Sequence, residues 1–194
     1  MAQTFDDSDM KIVGAPAPAA ARASSGETAA FLAELGRQHF NGNYAKAKEL
    51  GSNIVSVFSY RSPPEELVET IRSFGVPVDD AVLEQAKILA VFSAEDCLNR
   101  YLPSSQLSGV ALGEMYEVLQ RILPAFYETL SHSTAFSFYY LAIKTPGDVP
   151  AAIGRQFAAL CKQGDDERYA RLGEALHSSN KAVYKRAISG FAFV

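Results

Sequence analysis

Few side chains in this sequence could carry chemistry. The 194-residue chain has three histidines, His39, His132 and His177, and two cysteines, Cys97 and Cys161. Glu174 and His177 stand in a Glu-x-x-His spacing, which sets two ligands on one helix face and occurs in di-iron helical bundles. Such a centre needs a second copy of the motif and two further glutamates. Glu128 and His132, four residues apart, match it only imperfectly. A metal centre is therefore not expected, and the pair reads as an exposed Glu174 and a His177 that flanks an apolar stripe. Ser131, His132 and Ser133 place hydroxyls beside an imidazole. A nucleophilic triad, however, depends on convergence in space, not adjacency in sequence, and no Gly-x-Ser-x-Gly elbow is present. These three read as a loop that caps its flanking helices.

The remaining reactive groups have simpler readings. Cys97 and Cys161 are too far apart for a Cys-x-x-Cys motif and read as small buried hydrophobes in helices. Asp79 and Asp80, and Asp165, Asp166 and Glu167, stand where helices begin, and acids there are stabilised by the helix dipole. The sequence contains neither a GxGxxG nor a GxxxxGK[ST] phosphate loop. No cofactor is expected, and an enzyme is not the leading reading.

Composition sets the frame that must position these groups. Hydrophobic residues make up 48%, charged residues 21% and aromatics 11%, as in a soluble globular protein. A chain of this length can bury about 70% of its unfolded surface and needs no staple to fold. The net charge of −4 argues against nucleic acid as the main partner. Asp6, Asp7 and Asp9 stand where a secretory signal would be basic, and no apolar run of about 18 residues occurs. The expectation is a cytoplasmic protein without a membrane span.

Residues 1–24 are rich in alanine and proline and read as a flexible arm. Residues 25–194 read as a single all-α domain, a bundle of about seven or eight helices built from helical hairpins. Phe31, Leu32, Leu35, His39 and Phe40 follow Ser25 at helical spacing, and Asn41, Gly42 and Asn43 make a turn before a second helix. Ser62, with Pro63 and Pro64 before Glu65 and Glu66, signals a helix start that Gly75 closes. Asp79 caps a helix in which Ile88, Leu89, Ala90, Val91 and Phe92 are apolar on every side, the mark of a central element. Pro103 ends it, and Ser104, Ser105 or Ser108 caps the next. Pro124 kinks or restarts that helix. Residues 136–143 could pair as a strand by propensity, yet the chain offers no partner strand, so they read as helix. Asp148 and Asp165 cap the last two helices, Gly164 separates them, and a break is expected at Ser178, Ser179 and Asn180. The apolar tail of Phe191, Ala192, Phe193 and Val194 should dock on the body.

The stretch carrying Phe31, Leu35, Phe40, Gly42, Tyr44, Ala47 and Leu50 resembles one helix-turn-helix unit of the tetratricopeptide class. The likeness covers about 25 residues, lacks a closing proline, and recurs only faintly near Leu160, Gly164, Tyr169 and Ala170, with no period of about 34 residues. It reads as helical-hairpin patterning, not membership.

Two features stand above this background. Six aromatics, Phe126, Tyr127, Phe136, Phe138, Tyr139 and Tyr140, crowd too closely for one helix face. Residues 25–100 carry seven basic and eleven acidic side chains, whereas residues 168–194 carry five basic and one acidic. Phe136, Tyr139, Tyr140, Tyr184, Lys185 and Arg186 are therefore the candidate partner-binding or pocket residues. The leading reading is a non-enzymatic interaction or assembly module whose partner is a protein or a second copy of the chain. The alternative is a small-ligand-binding or enzymatic bundle with a pocket near residues 126–143, using Tyr139, Tyr140, His132 or His177. A third reading, contact with RNA or a membrane surface through the basic C-terminal helix, is weaker.

Overall fold

The computed structural model describes residues 25–194. The expected arm lies outside the described residues. Two compact units divide the chain between Leu35 and Gly36. Among the described residues there are nine helices and no strand. The all-α class is as read from the sequence. The count exceeds seven or eight because Pro124 restarts a helix instead of kinking one.

The helices are α1 (Ser25–Phe40), α2 (Asn43–Val55), α3 (Glu65–Ser73), α4 (Asp80–Tyr101), α5 (Ser105–Ile122), α6 (Pro124–His132), α7 (Ala135–Lys144), α8 (Val149–Leu160) and α9 (Glu167–Gly190). Local chemistry explains most boundaries. Asp79 accepts from the Val82 N–H at 2.9 Å, Ser104 from Leu107 at 3.3 Å, and Asp148 from Ala151 at 3.2 Å. Each supplies an acceptor for an amide that the first helical turn leaves unpaired. Gly42 and Gly75 hold φ of 80° and 70°, the left-handed region where a Cβ would strain the chain.

Several expected boundaries move. Pro64, not Ser62, holds the N-cap position of α3, with no side-chain bond there. Proline at Pro63 and Pro64 keeps the preceding backbone extended, which holds Ser62 away from the first turn. Asp166 rather than Asp165 caps α9, accepting from the Arg168 N–H at 2.9 Å. The left-handed residue after α8 is Lys162, at φ 59°, not Gly164. The expected break at residues 178–180 does not occur, and α9 runs unbroken through 24 residues. Polar residues with modest helix propensity are held there by packing on both sides. Of the first expected stripe, Phe31, Leu32 and Phe40 are exposed.

In the unit Gly36–Val194 the core centres on α4. None of residues 88–92 is more than 7% exposed. Helices α5, α7, α8 and α9 all contact α4, so no side of its middle faces water. The broadest helix pairings are α8 with α9, α2 with α5, and α4 with α9. Missing side chains allow the first two. A Cβ on Gly51 would lie 2.2 Å from the Ala111 carbonyl oxygen of α5, and one on Gly154 2.2 Å from that of Ala170 in α9. At the α2–α5 rim, Glu114 pairs with Lys48 at 3.5 Å and accepts from Ser52 Oγ at 3.1 Å. Arg168 donates to the Gly75 carbonyl at 2.9 Å and so ties the start of α9 to the end of α3.

These close approaches set an expectation for stability. Gly51→Ala and Gly154→Ala should each destabilise the protein by about 1–3 kcal/mol, since a methyl group there must push two helices apart. Gly113→Ala, on the exposed face of α5 with nothing within 4 Å of the new methyl, should stabilise it by roughly 0.5–1 kcal/mol. Denaturant unfolding of the three variants checks the contrast.

Candidate functional site

Three of the candidate side chains meet on one ring. Helix α7 buries Ala135, Tyr139 and Ala142 as a stripe of helical period, which aims its aromatics at α4. The rings of Phe136, Tyr139 and Tyr140 lie 5.6, 5.0 and 5.2 Å from the Phe92 centroid. Two of the three cross it edge-on, the arrangement favoured by aromatic quadrupoles. Tyr139 is completely buried, and its hydroxyl has no hydrogen-bond partner among the described residues.

One turn beyond Phe92 along α4, Glu95 accepts hydrogen bonds from two phenols, Tyr116 of α5 and Tyr140 of α7. Burial, then the hydrogen bond to Glu95 and its charge, hold both phenols well above the ordinary tyrosine pKa. They are neutral donors across the physiological range. The Tyr127 ring meets Tyr116 edge-on at 6.4 Å. Outside this network, Tyr116, Tyr127, Leu130, Ser131, Ser133 and Phe136 line a cleft of about 330 Å³. Its walls suit a flat apolar group, and its rim offers hydroxyls. Ser131 and His132, expected in a loop, are the last two residues of α6 and assemble no triad with Ser133: His132 is exposed, its Nδ1 lies 2.8 Å from the Glu128 carbonyl oxygen, and Ser133 Oγ accepts from the Ala135 N–H at 3.2 Å.

A second Ser–His pair does form, in a place the sequence reading did not find. His177, expected to flank the apolar stripe, is 1% exposed, because its position on α9 faces α4. Its Nδ1 lies 2.9 Å from the hydroxyl oxygen of Ser93. Ser93 donates its single proton to the Leu89 carbonyl at 2.7 Å, so the imidazole N–H donates to Ser93 and Nε2 keeps the bare lone pair. That nitrogen has no partner among the described residues. Burial first, then the positive charges of Lys181 and Arg100, push the His177 pKa down to about 4, against the opposing pull of Asp96. With Ser93 fully buried, no substrate can reach the pair; it pins α9 to α4. Ser93 and His177 stand 84 positions apart in the sequence, which left no local signal for the pair.

The remaining candidates do not join the aromatic cluster. Tyr184 is turned into the core and fully buried, its hydroxyl without a partner among the described residues. Lys185 is exposed with its Nζ 5.3 Å over the ring of Tyr101, so α4 supplies the aromatic that Tyr184 was expected to offer. Arg186 is exposed. Cys97 and Cys161 are free, buried thiols, raised to about 11 and about 12, first by burial, and thus protonated at neutral pH. Among the described residues no three of His, Cys, Asp and Glu gather as a metal site, and no helix is long and apolar enough to cross a membrane. The outward face of α7 carries Phe138, 44% exposed, and Leu141, 63% exposed. No family model matches the chain, and neither a curated protein nor a solved structure matches it.

His177 makes stability depend on pH. Above pH 6.5 the imidazole is neutral folded or unfolded and contributes nothing. Below it the unfolded chain takes up a proton that the folded chain refuses until about pH 4, so stability falls across that window. A shift of this size corresponds to roughly 3 kcal/mol. His177→Phe should remove this component: between pH 7 and pH 4 the wild type should lose about 3 kcal/mol more than the variant, measured by denaturant unfolding at each pH.

Proposed function

We propose that the chain is a non-enzymatic assembly module that associates with a second copy of itself through the outward face of α7. The observation that carries this reading is the pair Phe138 and Leu141, one turn apart and exposed on a helix whose other apolar residues are buried or partly buried. Apolar side chains grouped on one face mark interaction surfaces more often than single ones do. The composition of α7 favours a copy of itself as the occupant. Lys144, at its last position, is the only charged residue in the helix. Two such faces can therefore pack about a two-fold axis without burying like charges. The sealing of Ser93 and His177 and the raised thiol pKa values support a role in binding over one in catalysis.

A second reading draws on the cleft of Tyr116, Tyr127 and Phe136. Its volume of about 330 Å³ is within the lower range of small-ligand sites. Saturable sub-millimolar binding of indole, followed by NMR and lost in Tyr127→Ala, would favour it.

The assembly reading predicts that Phe138→Ser combined with Leu141→Glu changes folding stability by no more than about 0.5 kcal/mol, as exposed positions do. The same double substitution should weaken self-association about tenfold or more. Sedimentation equilibrium of the two proteins over a concentration series makes the comparison. A wild-type chain that stays monomeric at every concentration would contradict the reading.

A further inference from the structure

The chain after α9 is held in an unusual way. Asn43, at the start of α2, is 1% exposed. Its Oδ1 accepts from the Val194 N–H at 3.0 Å, and its Nδ2 donates to the Val194 carbonyl. One side-chain amide thus satisfies both backbone groups of one residue, as a neighbouring strand would. Asn41 Nδ2 donates to the same carbonyl at 2.9 Å, and Lys46 Nζ donates to the carbonyl of Ala192. The Asn43 amide is itself fixed by Gln38 Oε1, which accepts from Nδ2 at 2.6 Å. Asn41 is fixed by the Asn43 N–H, which donates to its Oδ1 at 3.1 Å. The corner between α1 and α2 therefore presents three oriented side chains to a short segment that is extended at Phe191 and tightened around Ala192 by the Phe193 N–H bonding the Phe191 carbonyl. All of these contacts go to backbone atoms.

Side chains of the segment add a simple pattern. Phe191 and Phe193 are partly buried against the core, with ring centroids 6.2 Å apart and stacked. Ala192 between them and Val194 after them point outward, Val194 being 76% exposed. Beyond these contacts the segment is held by two backbone hydrogen bonds, from the Phe191 N–H to the Ile188 carbonyl at 3.1 Å and from the Phe193 N–H to the Phe191 carbonyl at 2.8 Å. It belongs to no helix, and it follows Gly190, an exposed residue with open space around it. If it left, Asn41, Asn43 and Lys46 would open to water and stay hydrogen-bonded. Phe40, immediately before Asn41, is 95% exposed and is available to a longer segment.

We infer that the α1–α2 corner is a binding site for an extended polypeptide segment with aromatic residues at alternate positions, and that residues 191–194 are its exchangeable resting occupant. The partner is a segment of another protein with the same Phe-x-Phe-Val chemistry, recognised by backbone hydrogen bonds to Asn41, Asn43 and Lys46 and by two aromatic seats. Backbone reading by side chains together with pockets for alternate residues is how extended peptides are bound elsewhere. The site is independent of the α7 face, so either can fail without the other.

The test uses the full chain and a fluorescein-labelled, C-terminally amidated peptide Ser-Gly-Phe-Ala-Phe-Val, with binding read by anisotropy. In the variant Phe191→Ser with Phe193→Ser the resting segment loses its seats. This variant should bind the peptide at least tenfold more tightly than the wild type, in which the tethered segment competes at high effective concentration. Adding Asn43→Leu to it should weaken binding at least tenfold, and adding Lys46→Met, which touches no core contact, several-fold. Melting curves establish that each variant is folded. The proposal is overturned if the folded double variant fails to bind the peptide, or binds it no better than the wild type. It is equally overturned if neither Asn43→Leu nor Lys46→Met reduces binding. Unfolding of the double variant would also overturn it, because the segment would then be part of the fold. A wild-type dimer that becomes monomeric in the double variant would make the occupant a second copy's tail and overturn the assignment to another protein.

Discussion

The structure of the unit Gly36–Val194 depends on the burial of α4 on all its sides. A helix with apolar residues around its whole circumference cannot lie on a surface, so its neighbours must enclose it. Helices α5, α7, α8 and α9 do so. Enclosure in turn governs every polar group that α4 carries. Ser93 bonds to Leu89 and His177, Asp96 Oδ1 accepts from Arg100 at 2.6 Å, and Glu95 accepts from two phenols, while Asp96 Oδ2 has no partner among the described residues. Buried groups without such partners would cost several kcal/mol each. The polar contacts around α4 are thus consequences of its position, and they orient α9, α5 and α7 against it.

This arrangement separates the interior from the surface in packing and in chemistry. The groups that resemble catalytic machinery, Ser93 with His177 and the two thiols, lie inside and serve cohesion. The surface carries what the interior does not use: Phe138 and Leu141 on α7, the aromatic cleft between α5, α6 and α7, and the corner that grips residues 191–194. Glycines at Gly51 and Gly154 allow α2 with α5 and α8 with α9 to approach closely.

Much of the fold could be read from local sequence. Asp79, Ser104 and Asp148 act as caps, Pro124 starts a helix, and residues 88–92 are the buried centre, because capping and amphipathic period are short-range properties. The helical state of residues 136–143 followed from the lack of a partner strand. Long-range pairings were not legible. His177 meets Ser93 across 84 residues, and Asn43 meets Val194 across 151. Nothing in either neighbourhood encodes the other. Tyr184 illustrates the same limit: its flanking charges suggested a surface residue, yet the rotation of α9 against α4 turned its ring inward and left Lys185 outside. Of the candidate site, the aromatic density of residues 126–140 was visible, whereas Phe92, on which Phe136, Tyr139 and Tyr140 meet, and the acceptor Glu95 lay on another helix and gave no sign.

Native-state hydrogen exchange measures the central claim directly. If α4 is enclosed, the amides of Leu89, Val91, Ala94 and Leu98 can exchange only when the whole unit unfolds. Their opening free energies should then equal the global stability from denaturant unfolding and match or exceed those of α8 and α9. Opening of these α4 amides at about 2 kcal/mol or more below the global value, while α8 and α9 stay protected, would show that α4 detaches on its own and would contradict the account.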